Sequence, residues 1–191
     1  LKAGERFTLD ANCQLGNQSS VGLDYKNLPN DVKVGDKLLL NDGLLVIRVD
    51  AVDGSCIHTT VELGGELSNN KGINRAGGGL TAPALTDKDK EDLLTAVGLG
   101  ADYIAISFPQ NAEDMKIARE LSHQASAKFG HKAKLIAKIE RAEAVLPGVL
   151  EGILEVSDGI MVARGDLAVE VGNATVPALQ KKMIQLAREA N

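Results

Sequence analysis

The stretch from Gly64 to Gly79, GGELSNNKGINRAGGG, holds six glycines in sixteen residues, and the apolar residues on its two sides recur with different periods. A strand repeats every two residues and a helix about every 3.6, so a change of period across so pliable a segment predicts two separately folded pieces. On the amino-terminal side Leu38 to Leu40 leads into Asn41-Asp42-Gly43, Leu44 to Val52 leads into Asp53-Gly54, and Cys56 to Leu63 follows. Asp-Gly between apolar runs predicts hairpins, because both residues tolerate the positive φ of a tight turn. Residues 1–75 are therefore expected to form a small β-barrel domain, with the glycine-rich segment as a linker or a hinge. The polar residues 30–36, after Pro29, add further turn chemistry.

After Pro83 strands and helices alternate. Thr86 predicts the cap of a helix over 87–97 closed by Gly98 and Gly100, and residues 103–107 read as a short strand. Asn111 opens a helix to Lys128 that Gly130 closes, and 133–139 read as a second strand. A poorer helix over 142–155 is broken at Pro147-Gly148. Residues 159–163 make a third strand, and Pro177 suits the first turn of a last helix ending near Glu189. Such alternation predicts parallel βαβ units, so residues 76–191 are expected to be an α/β piece.

Composition excludes several classes of function. With 44% hydrophobic and 25% charged residues the chain is neither disordered nor a membrane span. No apolar run approaches the roughly 18 residues of a spanning helix, and the start LKAGERF is not a signal peptide, so a cytoplasmic location without membrane contact is expected. The net charge is −5, with three Phe, two Tyr and no Trp, which leaves little to neutralise phosphate backbones or to stack on bases. Nucleic acid is not an expected partner. Cys13 and Cys56 lie far apart without second ligands at metal spacing, which fits reduced thiols.

Chemistry concentrates at two predicted strand ends. Lys138 and Glu140 are two positions apart, so they leave one face at the carboxyl end of their strand, where parallel α/β folds bind ligands. A carboxylate there can hold a metal while the ammonium meets phosphoryl oxygens; the plain alternative is a surface ion pair at a fraying strand end. Asp166 is expected at the corresponding end of the next strand, beside Glu140. Two carboxylates from consecutive strands suit Mg²⁺, which takes one or two of them plus water and substrate oxygens. Asp158-Gly159 reads as a turn, and Arg164-Gly165-Asp166 as an adhesion motif is argued against by the missing secretion signal.

The stretches SDGIMVARGDLAVE (Ser157 to Glu170), AKIE (Ala137 to Glu140), DYIAISF (Asp102 to Phe108) and NKGIN (Asn70 to Asn74) resemble the pyruvate kinase family, particularly its bacterial members. The match runs in order across nearly the whole chain. The resemblance implies a partial (β/α)₈ barrel with an inserted small all-β lid, and phosphoryl transfer from phosphoenolpyruvate to ADP to give pyruvate and ATP. It implies that Lys138 stabilises the transferring phosphoryl group, that Glu140 and Asp166 hold Mg²⁺ or Mn²⁺, and that backbone groups of Gly165 and Asp166 bind the substrate carboxylate. Lys71 matches a lid lysine on the nucleotide side. The family also implies K⁺, whose site is not in this chain, and a homo-oligomer, commonly a tetramer.

Two departures stand out: Ala168 where the family has glycine, and Arg75-Ala76-Gly77 where it has Leu-Pro-Gly. The family's opening barrel strands, a Thr-Gln-Met segment and a carboxyl-terminal domain are not matched, so an inactive internal fragment is expected. Alternatives are a folded module without catalysis, or another metal-dependent barrel enzyme acting on pyruvate or phosphoenolpyruvate enolates. The lid and its lysine favour pyruvate kinase over the latter.

Overall fold

The computed structural model describes residues 1–190, which divide into one compact unit ending at Ala82 and a second beginning at Pro83. No helix among the described residues is long and apolar enough to cross a membrane.

The first unit holds strands β1 (Arg6–Asp10), β2 (Ser20–Gly22), β3 (Lys37–Leu40), β4 (Leu45–Asp53), β5 (Cys56–Leu63) and β6 (Ile73–Arg75), with one short helix α1 (Leu28–Asp31). They form a single sheet in the order β2-β1-β5-β4-β3-β6, antiparallel except for β1 and β2. Alternate residues of the main strands, among them Phe7, Leu9, Leu38, Leu40, Leu45, Ile47, Val49, Ile57 and Val61, are buried in one core. The strand order is open, with β2 and β6 at its ends, so pairing does not close the expected small barrel among the described residues.

The turns follow the expected chemistry. Asn41, Asp42 and Gly43 adopt successive left-handed conformations (φ 51°, 57° and 80°), which Asn, Asp and Gly accept at little steric cost. Asp53 pairs with Cys56, so Gly54 and Ser55 form a two-residue hairpin loop.

The glycine-rich stretch is not a free linker. Its centre is β6, which pairs with β3, while the Gly65 backbone exchanges hydrogen bonds with Leu1. Residues past 75 also pack with the first unit, beyond the boundary that the sequence suggests: Leu80 is buried in its core, and Thr81 donates from its backbone N to Asp31 Oδ2 at 2.7 Å. Arg75 accounts for part of this order. Its Nε and its Nη2 donate to the two oxygens of Asp36 at 2.9 and 3.3 Å, and Nη1 reaches the Gly78 carbonyl at 3.2 Å. Such a bidentate, half-buried pair fixes geometry as well as energy.

Burial alone raises the Asp36 carboxyl, but the Lys33 N–H and the Arg75 guanidinium outweigh it and hold it below the ordinary carboxylate range. A group whose pKa is depressed on folding contributes stability above its unfolded pKa, near 4, and loses it as pH falls through the folded value. Arg75→Met is expected to destabilise the first unit by about 2 kcal/mol at neutral pH and to move its acid unfolding to higher pH. Thermal melts across pH 2 to 7 check both effects.

The second unit carries α2 (Asp87–Gly98), β7 (Tyr103–Ile106), α3 (Ala112–Phe129), β8 (Lys134–Ile139), α4 (Val149–Glu155), β9 (Gly159–Val162), α5 (Arg164–Val171) and α6 (Val176–Glu189). The strands are parallel in the order β7-β8-β9, as the alternating pattern predicts. Thr86 caps α2 in a reciprocal box with Asp89, and Asn111 caps α3, which Gly130 ends in a left-handed conformation. The poorer helix resolves into one 3-10 turn (Glu143–Val145) and α4, split at Pro147-Gly148 as expected.

One difference matters for the site. The third strand ends at Val162, and Arg164, Gly165 and Asp166 open helix α5, which the pattern at 163–171 does not announce. Arg164 to Asp166 therefore belong to a helix start rather than to a strand end.

The three-stranded sheet is covered on one side. Leu135, Ala137 and Ile139 are buried in a core with Val97, Met115, Ala118, Ile153 and Met183 from the helices. The opposite face carries Tyr103, Ala105, Lys134, Ile136, Lys138 and Met161, of which Tyr103 is 63% and Met161 47% exposed. Parallel sheets are ordinarily covered on both faces.

Candidate active site

The sequence places Lys138 and Glu140 on one face of β8, and the structure brings them into direct contact. Lys138 lies on the uncovered side, its Nζ 2.8 Å from Glu140 Oε1 and 3.2 Å from Ser107 Oγ, which follows β7. Glu140 continues the alternation one step past the strand and is 1% exposed. A carboxylate so buried needs charge and hydrogen-bond partners to offset lost hydration. Lys138 supplies the charge, and the backbone N of Phe108 donates to Oε2 at 2.7 Å.

Ser107 and Phe108 escape the sequence reading. Phe108 holds φ 56°, an unusual conformation for a bulky residue that costs on the order of 1–2 kcal/mol. In that conformation its N–H meets the buried carboxylate. Pro109 steers the residue before it toward extended backbone, so no sequence signal marks the left-handed conformation of Phe108.

Asp166 stands in the first turn of α5, partly exposed, and no direct bond joins it to Glu140 or Lys138 among the described residues. The N-cap, Ala163, offers no side-chain cap to the first turn, so the opening amides of α5 point outward with the positive end of the helix dipole. A Cβ built on Gly165 would meet nothing within 4 Å, which leaves open space beside those amides. The α5 start can thus receive a small anion.

Each Glu140 oxygen has one of the partners named above and retains a second lone pair. With Asp166 it offers two hard oxygen donors from adjacent segments. That set fits Mg²⁺ or Mn²⁺ completed by substrate and water oxygens, although no group of three or more His, Cys, Asp or Glu side chains gathers at one point among the described residues. Lys71 belongs to the first unit, exposed beside Asn70, whose φ is 58°.

Two further acidic residues organise this unit. Asp158, which the sequence suggests only as a turn, accepts from Leu135 N at 2.7 Å and pairs with Arg119 at 2.7 Å. Burial raises its carboxyl, but the Leu135 N–H and Arg119 outweigh burial and hold it low. It clamps the amino-terminal ends of β8 and β9, the end of a parallel sheet that serves stability. Glu170, on α5, is 6% exposed and accepts from Ala142 N at 2.8 Å. No sequence signal marks it, because the pattern does not announce α5 and its partner Ala142 lies 28 positions away.

The family model for the pyruvate kinase barrel domain matches residues 1–191. A pyruvate kinase of Buchnera aphidicola subsp. Acyrthosiphon pisum is 53% identical over 194 residues, covering 100% of this chain and 40% of its own length. One from Haemophilus influenzae is 50% identical over the same shares. The crystal structure of a pyruvate kinase from Cryptosporidium parvum superposes with a TM-score of 0.87 at 32% identity, over 96% of this chain and 38% of that one. The chain spans about 40% of the length of the relatives it matches.

Proposed function

The chain belongs to the pyruvate kinase family, and from that premise we propose that its second unit supplies part of a site that transfers the phosphoryl group of phosphoenolpyruvate to ADP, giving pyruvate and ATP. The observation that carries this reading is the Lys138–Glu140 pair, 2.8 Å apart at the carboxyl end of a parallel strand. Phosphoryl transfer asks for positioned charge more than for covalent chemistry, and this arrangement offers positioned charge.

Lys138 is the ammonium that meets the transferring phosphoryl oxygens, held in place by Glu140 and Ser107. Glu140 and Asp166 hold a divalent cation, which when bound supplies Lewis-acid neutralisation of the phosphoryl and enolate oxygens. The amides of Gly165 and Asp166 hold the substrate carboxylate at the uncapped start of α5. Phe108 contributes its N–H to keep the Glu140 carboxylate in one orientation. In this reading the first unit is the inserted lid and Lys71 its nucleotide-side lysine. The working enzyme is a cytoplasmic homo-oligomer that also requires K⁺, bound by residues outside this segment.

The test is ATP formation from phosphoenolpyruvate and ADP by a complete pyruvate kinase containing these residues. Glu140→Gln and Asp166→Asn should each weaken Mn²⁺ binding roughly 10-fold or more and lower activity with it, since a neutral amide poorly replaces a charged ligand of a hard cation. Direct Mn²⁺ titration of both variants checks this. Unchanged affinity in either variant removes that residue from the metal site.

A further inference from the structure

Glu170 is a buried acid that the proposed reaction does not use. It lies four residues past Asp166 on α5, so the two carboxylates share one helix face a single turn apart. Like charges at that spacing are unfavourable by themselves, which calls for a compensating contact. One such contact is the 2.8 Å hydrogen bond from Ala142 N to Glu170 Oε2, with Glu170 only 6% exposed. Ala142 is two residues beyond Glu140. The bond therefore joins the segment that carries one proposed metal ligand to the helix that carries the other.

The joint falls where the backbone needs it. The sheet holds β8 and β9 together as far as the bond from Ala163 N to the Ile139 carbonyl, at 3.2 Å. Past that point one chain turns into the 3-10 segment and the other into α5, and their ladder ends. Glu140 and Asp166 lie in these diverging stretches. Leu167 of α5 packs in one core with Ala144 and Val145, and the Glu170 bond adds a directional tie to that packing.

We propose that Glu170 is a positioning residue that sets the separation of the Glu140 and Asp166 carboxylates, and through it the affinity of the divalent cation. The proposal rests on the reading of those two residues as metal ligands. Groups that orient metal ligands from behind commonly change affinity 10- to 100-fold when removed. The Ala142 N–H needs an oxygen acceptor at that point, which an amide oxygen also provides, so Glu170→Gln should keep this bond.

The experiment uses a complete pyruvate kinase containing residues 1–191 and Mn²⁺ as the probe, with binding titrated directly and amide exchange followed at residue 142. Glu170→Leu removes the acceptor at similar size and is expected to weaken Mn²⁺ binding about 10-fold or more while the Ala142 amide exchanges faster. Glu170→Gln is expected to stay within about 3-fold of the parent. In an Asp166→Asn background, Glu170→Leu should cost little more. Ala142 has φ −61°, a value proline adopts. Ala142→Pro therefore removes the bond from its donor side and should reproduce the loss, which keeps the test decisive if Glu170→Leu does not fold. Normal Mn²⁺ affinity in a folded variant lacking the bond overturns the proposal. So does a Glu170→Gln variant as impaired as Glu170→Leu, which would make charge the cause. If Glu140→Gln and Asp166→Asn leave affinity untouched, the metal-site reading itself fails; if they weaken it and loss of the bond does not, only the role of Glu170 fails.

Discussion

Lys138→Met in a complete pyruvate kinase containing these residues should lower kcat by about 10²- to 10³-fold, the usual cost of removing one positioned charge donor, while the KM for phosphoenolpyruvate changes little. The split between the two constants follows from where the ammonium sits. In the resting structure Lys138 is already paired with Glu140 at 2.8 Å and bonded to Ser107 Oγ at 3.2 Å, so its orientation is set before substrate arrives. A preoriented charge contributes most where negative charge is redistributed, which is the transition state. In the proposed site, ground-state binding falls to the divalent cation and the amides at the start of α5. Steady-state kinetics at saturating Mg²⁺ measure both constants. A variant with a raised KM and an unchanged kcat would make Lys138 a binding residue, and one with neither constant altered would make it a strand-end lysine alone.

Methionine also leaves Glu140 buried without its cation, so the variant carries a second, separable effect. The carboxylate retains the Phe108 N–H at 2.7 Å but loses its charge partner. Mn²⁺ affinity of Lys138→Met should therefore rise or hold rather than fall, because the metal no longer competes with an ammonium for Glu140 Oε1. Loss of metal affinity together with loss of kcat would mean that Lys138 orients the carboxylate instead of meeting the phosphoryl group.

What the sequence made legible is what local physics decides. The turns at Asn41-Asp42-Gly43 and Asp53-Gly54, the caps at Thr86 and Asn111 and the closing Gly130 all act within a few residues of themselves, and each is found where its chemistry requires. The Lys138–Glu140 contact was legible for the same reason, since a two-residue offset on a strand fixes a common face. The start of α5 was not. Arg164-Gly165-Asp166 continues an apolar strand without a capping side chain, and only Ile139, through its carbonyl, and the packing of Leu167 show where the strand stops. Arg75 was visible only as a departure from the family pattern, because its partner Asp36 is distant in sequence. Glu170 and Phe108 were hidden likewise: each acts on a backbone N–H or carboxylate some thirty residues away, at 28 and 32 positions.

Residues 1–191 expressed alone should show no detectable conversion of phosphoenolpyruvate and ADP, a loss of roughly 10³-fold or more against a complete enzyme, because catalysis by positioned charge depends on sub-ångström placement. The Lys138–Glu140 pair is built from within the second unit, but that unit's own helices do not cover the face on which Lys138 lies. Tyr103 and Met161 on that face are 63% and 47% exposed, and β7 and β9 each have one edge without a partner strand among the described residues. With the sheet open, water reaches the ammonium and screens it, so a charge worth several kcal/mol in a dry site is worth about 1 kcal/mol in bulk solvent. The same bare face and edges give the isolated chain a reason to self-associate, which light scattering would detect as a concentration-dependent mass. Restoring activity should therefore take strands that cover that face and supply the K⁺ site that this chain lacks. Co-expression with the remaining barrel strands of a Haemophilus influenzae relative, 50% identical over this region, is expected to return turnover and abolish the association together. Turnover by the purified 191-residue chain at a rate near that of a complete enzyme would show that an open parallel sheet can hold Lys138 and its neighbours closely enough for phosphoryl transfer.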